Sequence, residues 1–253
     1  MKTPARIAVV IPAYNEEQFL KQCLDALDTQ IVKPDFVYVV DNNSTDGTAR
    51  IAKSFSFVTV LKEPVQGICA ATKRGMDEAG NTSDIILRCD ADSRPNRDWI
   101  EKTMHAFRSS QNIGAVTGPG IFYDTSKWKA AFFYVTYMLP YFLSVGLAVG
   151  KVPLFGSNMA IKADVWREMS NKTHLTNRQD LHDDIDMTYH LPETTHVKFD
   201  AGLRMPISAR PFRSIRSMKK RYSTGLESIK MHWPEHSPLA VYKKRILRRY
   251  PTR

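Results

Sequence analysis

Two acidic clusters hold most of the chemistry this chain could perform. The first is Asp90-Ala91-Asp92, directly after the apolar run Asp84-Ile85-Ile86-Leu87-Arg88-Cys89. Along an extended chain residues i and i+2 share a side, so the two carboxylates make one anionic platform. Oxygen ligands of this kind suit Mg2+ or Mn2+, which in turn binds phosphate, so the platform fits a metal–diphosphate. An isolated Asp-x-Asp is more often a solvated turn or a helix cap; what raises it here is the order of motifs around it. The second cluster is Asp180, Asp183, Asp184 and Asp186. By composition it reads as the acidic start of a helix, favoured by the helix dipole. A carboxylate of this cluster could instead do general-base work.

The elements that must position these residues alternate through the first half. Ile7–Ile11 reads as a buried strand, too short for a signal sequence and closed by Pro12. Residues 16–29 read as a helix with Phe19, Leu20, Cys23, Leu24 and Leu27 on one stripe. Strands follow at 36–40, 58–61 and 85–89, with helices at 48–54 and 68–79 between them. This order predicts an α/β fold with a mostly parallel, Rossmann-like sheet covered by helices on both faces. Ligands then bind at the carboxyl ends of the strands, where Pro12–Glu17, Asp41–Gly47 and Asp90–Asp92 converge. The chain has neither a Gly-x-Gly-x-x-Gly after its first strand nor a P-loop, so metal and basic side chains must meet any diphosphate charge.

Composition bounds the rest. The chain has 253 residues, 43% of them hydrophobic, enough for a buried core. Three cysteines without metal-type spacing fit a reducing compartment. The net charge of +10 is uneven: residues 204–253 hold 14 Lys and Arg against Glu227 and Glu235, so the whole excess lies in the last fifth.

In order, these motifs resemble the family 2 glycosyltransferases, which have a GT-A type fold. The resemblance is carried by Val9–Glu17, Val39–Thr48, Gly67–Gly75, Asp90-Ala91-Asp92, Gly156-Ser157-Asn158-Met159-Ala160 and His182-Asp183-Asp184-Ile185-Asp186-Met187, and runs from about residue 6 to 210. It implies a GT-A domain over 1–209, with a donor half to about 120 and an acceptor half after it, and a basic helical extension over 210–253. It implies a nucleotide-diphosphate sugar donor, Mg2+ or Mn2+, and inversion at the anomeric carbon. On this resemblance Pro12, Ala13, Tyr14, Glu16 and Asp41 hold the base and ribose, Asp90 and Ala91 flank the ribose or metal, and Asp92 binds the metal. Asp184 is then the base, with Asp183 or His182 orienting it, and Gly156, Ser157 and Asn158 face the acceptor. Asp183 replaces the usual Glu, and Thr72-Lys73 stands where Arg-Asn is common, which leaves Lys73 as a contact for the diphosphate. The Gln/Arg-x-x-Arg-Trp motif of processive synthases is absent; Arg213-Ser214-Ile215-Arg216-Ser217 is the nearest segment, so a single-transfer enzyme is expected.

Two segments bear on partners. Residues 130–150 are uncharged and long enough for a membrane span. A full crossing would separate Asp92 from Asp184, and Pro140 interrupts the middle, so a buried helix pair or an interfacial element is expected. In the tail, Arg210, Arg213 and Arg216 are candidates to close over the diphosphate, and the remaining basic residues suit anionic lipid. A lipid-linked or membrane-proximal acceptor, and a peripheral position on the cytoplasmic face of the membrane, go with that reading. Nucleic acid ranks below lipid, since no RNA or DNA motif accompanies the charge. His174, His190 and His196 read as structural or solvated rather than as a third metal ligand. Rival functions are a nucleotidyltransferase, which would want a Gly-rich basic first loop, and a non-catalytic basic adaptor for membrane or nucleic acid on a GT-A-like domain.

Overall fold

Ile7-Ala8-Val9-Val10-Ile11 is apolar at every position because both of its faces are covered. In the computed structural model, which describes residues 4–176, 178, 180–233, 237 and 242–243, this run begins strand β1 (Ile7–Ala13). Side chains alternate across it. Ile7, Val9 and Ile11 pack with α1 (Leu20–Asp28) and α4 (Trp99–Arg108). Ala8 and Val10 pack with α3 (Ile68–Thr82) and α7 (Ala163–Met169) on the other face.

The central sheet has seven strands in the order β3-β2-β1-β4-β7-β5-β8. β2 (Phe36–Asp41), β1, β4 (Ile85–Arg88) and β3 (Val58–Lys62) run parallel, as expected. β7 (Met159–Lys162) enters antiparallel between β4 and β5 (Ile113–Thr117), and β8 (His196–Phe199) is parallel to β5. A second, two-stranded ladder pairs β6 (Gly120–Phe122) with β9 (Met205–Ile207). Strand order reverses at β1, so the crevice opens where the carboxyl ends of β1 and β4 separate their loops.

The helix expected from residue 16 starts at Leu20. Glu16 and Glu17 are engaged in bracing two loops instead. The Glu16 N–H donates to Thr48 Oγ1 at 2.8 Å, and the Glu17 carboxylate accepts the Gly47 N–H at 2.8 Å. These contacts tie the loop after β1 to α2 (Thr48–Lys53). Asn15 and Asn43 turn these loops at positive φ, 53° and 63°, a region asparagine tolerates.

The apolar stretch is one helical run, not a pair. It comprises α5 (Lys127–Phe133), a π-helical turn (Tyr134–Met138) and α6 (Leu139–Val149). The π turn lies just before Pro140, whose missing N–H and ring would otherwise break the ladder, so the helix passes the proline instead of stopping at it. By length and composition alone the run could cross a membrane. Yet β5 before it and β7 after it are hydrogen-bonded neighbours, and a bilayer between its ends would have to divide the sheet. Beyond it lie α8 (Asp183–His190) and α9 (Ile215–Lys230), the latter capped by Ser214, whose hydroxyl accepts the Ser217 N–H at 3.3 Å.

Close seating of α3 on the sheet depends on Gly75. A Cβ there would fall 2.4 Å from Val10 Cγ1 and 2.8 Å from Val40 Cγ2. Gly75→Ala is expected to lose about 1–3 kcal/mol in urea unfolding through overpacking. Gly146→Ala, where the nearest atoms stand at 3.5 Å, is expected to be neutral or stabilising by up to about 1 kcal/mol. Equal effects of the two substitutions would contradict this packing.

Candidate active site

Arg88 is the last residue of β4 and is buried, with its guanidinium held between two carboxylates. Its Nη1 lies 2.6 Å from Asp90 Oδ1, and its Nη2 donates to Asp183 Oδ2 at 3.0 Å. Asp90 also accepts the Ser157 hydroxyl, and Asp183 accepts Thr72 Oγ1 at 2.7 Å. The two acidic clusters recognised in the sequence therefore meet through one arginine. Burial pushes the Asp90 carboxyl up, but Arg88 and the Ser157 hydroxyl outweigh it and hold the group below its ordinary range. Asp183 shifts the other way: burial dominates, Asp184 beside it adds to the rise, and Arg88 offsets only part.

Asp184 starts α8 and lies against the backbone of the 3-10 turn Gly156–Asn158. Its Oδ2 accepts the Gly156 N–H at 2.9 Å. Gly156 leaves no room for a side chain, since a Cβ would stand 2.7 Å from Arg88 Nη1 and 3.3 Å from Asp184 Oδ2. On the donor side, burial and Asp90 push the Asp92 carboxyl up to about 7, against the pull of Arg210. Arg210 places Nη2 3.1 Å from Asp92 Oδ2, forks onto Glu16 at 2.7 and 3.0 Å, and lies 4.5 Å from the centre of the Phe19 ring.

Two concavities join here. One, of about 340 Å3, is lined by Pro12, Ala13, Tyr14, Glu16, Asp90, Ala91, Asp92, Ser157 and Arg210. The other, of about 690 Å3, is lined by Asp183, Asp184, Gly156, His182 and Lys220. They share Ile68, Asp90, Ser157, Pro211 and Arg221. Both openings are thus walled partly by α9, whose Arg221 donates to the Tyr137 hydroxyl at 2.6 Å. His182 fixes that helix: its N–H donates to Ser228 Oγ at 2.8 Å and its Nε2 lies 3.1 Å from the Arg221 carbonyl.

Five expected contacts are placed elsewhere. Lys73 pairs with Asp77 at 2.9 Å and lies over Trp166, because its face of α3 packs on α7. Asp41 caps its own turn, accepting the Ser44 N–H at 3.1 Å, and Asn42 lines the crevice instead. Asn158 is fully buried, accepting Trp99 Nε1 and donating to the Leu203 and Pro119 carbonyls. Arg213 turns to Asp124 at 3.0 Å, and Arg216 is exposed on the outer side of α9. Lys244, Arg245, Arg248 and Arg249 lie outside the described residues. Sequence reasoning missed Arg88 and Asn42, and assigned Lys220 and Arg221 to anionic lipid as part of the basic tail. Only Arg88 carried a signal, as a lone charge inside an apolar strand.

The sequence profile described as glycosyl transferase family 2 matches residues 8–165, which include β1, β4 and both carboxylates of Asp90-Ala91-Asp92. The chain belongs to glycosyl transferase family 2. The transferase is 27% identical over 247 residues to glycosyltransferase AglE of Haloferax volcanii, covering 89% of this chain and 73% of that protein. It spans 18% to 37% of the length of three further curated glycosyltransferases that it matches. Among solved structures it resembles the mannosyltransferase PcManGT of Pyrobaculum calidifontis in complex with GDP-Man and Mn2+, with TM-score 0.64, 17% identity, and coverage of 97% of this chain and 70% of that one. It also resembles glucosyl-3-phosphoglycerate synthase of Mycobacterium tuberculosis in complex with Mg2+ and UDP, with TM-score 0.63, 19% identity, and coverage of 89% and 79%. These likenesses establish the fold of the transferase as that of GT-A enzymes.

Removing the central cation leaves the buried Asp183 carboxylate facing the partly exposed Asp90 carboxylate. Arg88→Met is expected to cost about 3–5 kcal/mol in urea unfolding at pH 7, since breaking a buried pair strands its partners. A loss under about 1 kcal/mol would mean that the bridge is not buried in solution.

Proposed function

We propose that the transferase moves a sugar from a nucleotide-diphosphate donor to an acceptor hydroxyl by a single inverting displacement. The observation that supports this most is the joining of the two concavities at Asp90, Ser157 and Arg221. A donor in the first and an acceptor in the second would present their reacting atoms to each other there.

Asp90 and Asp92 form a hard-oxygen pair, and the high proton affinity of Asp92 marks a buried carboxylate short of positive charge, so the residues fit Mg2+ or Mn2+. Asp92 would hold the ion with Asp90 beside it, and the ion when bound would neutralise the leaving diphosphate. Pro12, Ala13, Tyr14 and Asn42 would seat the nucleoside, with the half-exposed Tyr14 ring free to stack on the base. Arg210, Lys220 and Arg221 would supply the positive charge that Lys73, Arg213 and Arg216 do not bring to the crevice. Asp184 would take the proton of the attacking hydroxyl at its carboxylate, oriented by the Gly156 N–H. Asp183, held by Arg88 and Thr72, would set the height of Asp184 through the helix they share.

The acceptor is proposed to be lipid-linked or membrane-proximal, with the enzyme peripheral on the cytoplasmic face. Support comes from the helical run over 127–149. Trp128, Phe132, Val135, Leu139, Leu143 and Leu147 are all exposed at three- and four-residue spacing, Trp128 by 88% and Leu147 by 63%. They form one apolar stripe such as lies in an interface. α9 packs beside it, its Tyr222 hydroxyl on the Thr136 carbonyl, with Arg216 and Lys219 of α9 and Arg213 just before it on the exposed surface.

Asp92→Asn is expected to abolish the Mn2+-dependent part of nucleoside-diphosphate binding in calorimetry while the fold persists. Affinity unaffected by the substitution and by chelator would refute the metal assignment. Asp184→Asn is expected to lower kcat by roughly 100-fold or more with donor binding nearly unchanged; a fully active variant would remove Asp184 from the mechanism. For the membrane reading, the protein is expected to co-sediment with anionic vesicles and much less with neutral ones. Leu143→Asp with Leu147→Asp should weaken the salt-resistant part, and binding that ignores both lipid charge and these substitutions would refute it.

A further inference from the structure

Away from the crevice, three imidazoles surround one fully buried carboxylate. Asp186 Oδ1 lies 2.8 Å from His174 Nδ1, 3.2 Å from His232 Nε2 and 3.5 Å from His190 Nδ1. One ligand atom from each of these four residues lies within 4.8 Å of the other three. Tetrahedral Zn2+ holds nitrogen and oxygen at about 2.0–2.2 Å, so its ligand atoms stand about 3.3 Å apart. His174 Nδ1 and His232 Nε2 already stand near that spacing from Asp186 Oδ1, and His190, whose Nδ1 faces the Asp186 carbonyl at 2.8 Å, would present its Nε2.

The hydrogen bonds around the rings fix which nitrogen is available. His232 Nδ1 faces the Ser228 carbonyl at 2.7 Å, and His190 Nδ1 faces the Asp186 carbonyl at 2.8 Å. A carbonyl only accepts, so each Nδ1 carries the hydrogen and the Nε2 of a neutral ring keeps its lone pair. In a neutral ring the His232 lone pair then faces the Asp186 carboxylate at 3.2 Å, a spacing that either a proton or a metal ion between the two acceptors satisfies. An imidazole anchored through its other nitrogen to a backbone carbonyl is also how metal-bound histidines are oriented.

We propose that His174, Asp186, His190 and His232 form a structural Zn2+ site. Four protein ligands make a closed site, and the three imidazoles disfavour Mg2+, which takes oxygen. The position in the fold gives the ion a task. His174 lies in the segment after α7, Asp186 and His190 lie on α8, and His232 follows the end of α9. The ion therefore clasps the last turn of the helix carrying Lys220 and Arg221 onto the helix carrying Asp183 and Asp184. None of the four residues lines the crevice, so this ion is separate from the one proposed at Asp92.

Untagged full-length protein produced with added zinc and then dialysed is expected to retain about one zinc per chain by elemental analysis. Asp92→Asn should retain the same amount, whereas His174→Ala and His232→Ala should fall to near zero. Wild-type protein reconstituted with Co2+ should show the visible ligand-field bands of a four-coordinate ion, a measurement that needs no variant to fold. Stripping the metal should lower Tm, and returning zinc should restore it. Wild-type protein that takes up neither Zn2+ nor Co2+ overturns the proposal and leaves a protonated imidazole as the cation. Zinc content unchanged in His232→Ala overturns it as well.

Discussion

A buried guanidinium holds the two halves of this crevice in register. Arg88 contributes a single positive charge to a place where Asp90 arrives from β4 and Asp183 from α8, 95 residues apart in the chain from Arg88 to Asp183. Taking these groups out of water is costly, and the arrangement persists because each carboxylate also accepts a hydroxyl, from Ser157 or from Thr72. Shape follows from the same constraint. Gly156 is required because any side chain would press on Arg88 and Asp184 together, and the N–H it presents positions Asp184.

Around that bridge the site carries more acid than Arg88 can balance. Asp92 and Asp183 are both pushed toward protonation by burial and by acidic neighbours. The compensating charge comes from the C-terminal part of the chain, as Arg210 on the Glu16 and Asp92 side and Arg221 where the concavities join. A donor diphosphate would add negative charge to the same place, which is why a cation and these arginines belong together in the proposed chemistry. The last helix therefore acts as a wall of the site, held against α8 by the hydrogen bonds of His182.

The surface outside the crevice follows a different logic. The helical run over 127–149 buries little of its apolar face, and its exposed stripe continues beside the basic side of α9. An exposed stripe of this length exceeds what scattered surface hydrophobes explain. Its ends are joined to neighbouring strands of one sheet, so the stripe can meet a membrane only by lying along it.

The sequence by itself determined the alternating strands and helices, the parallel core and the acidic platform. These depend on local periodicity and on residues one or two positions apart, and β1 to β4 lie within a residue or two of their expected bounds. The family resemblance extended that legibility to Tyr14, Ser157 and the Asp183-Asp184 pair. What the sequence left open was decided by contacts between distant segments. Lys73, Arg213 and Arg216 were expected at the diphosphate and Arg221 at lipid, since local sequence does not tell which basic side chain faces inward. Which of them reaches the crevice is decided by tertiary contacts: Lys73 packs on α7, Arg213 pairs with Asp124, and Arg221 donates to Tyr137. Asp41 caps its own turn while Asn42, its amide tied to the Glu63 and Val65 carbonyls, lines the crevice, and Asn158 was drawn inward by Trp99 and two carbonyls. Within the grouping of His174, Asp186, His190 and His232 only the one-turn spacing of Asp186 and His190 is local; the other two members come from separate segments and meet them only after α8 and α9 have packed.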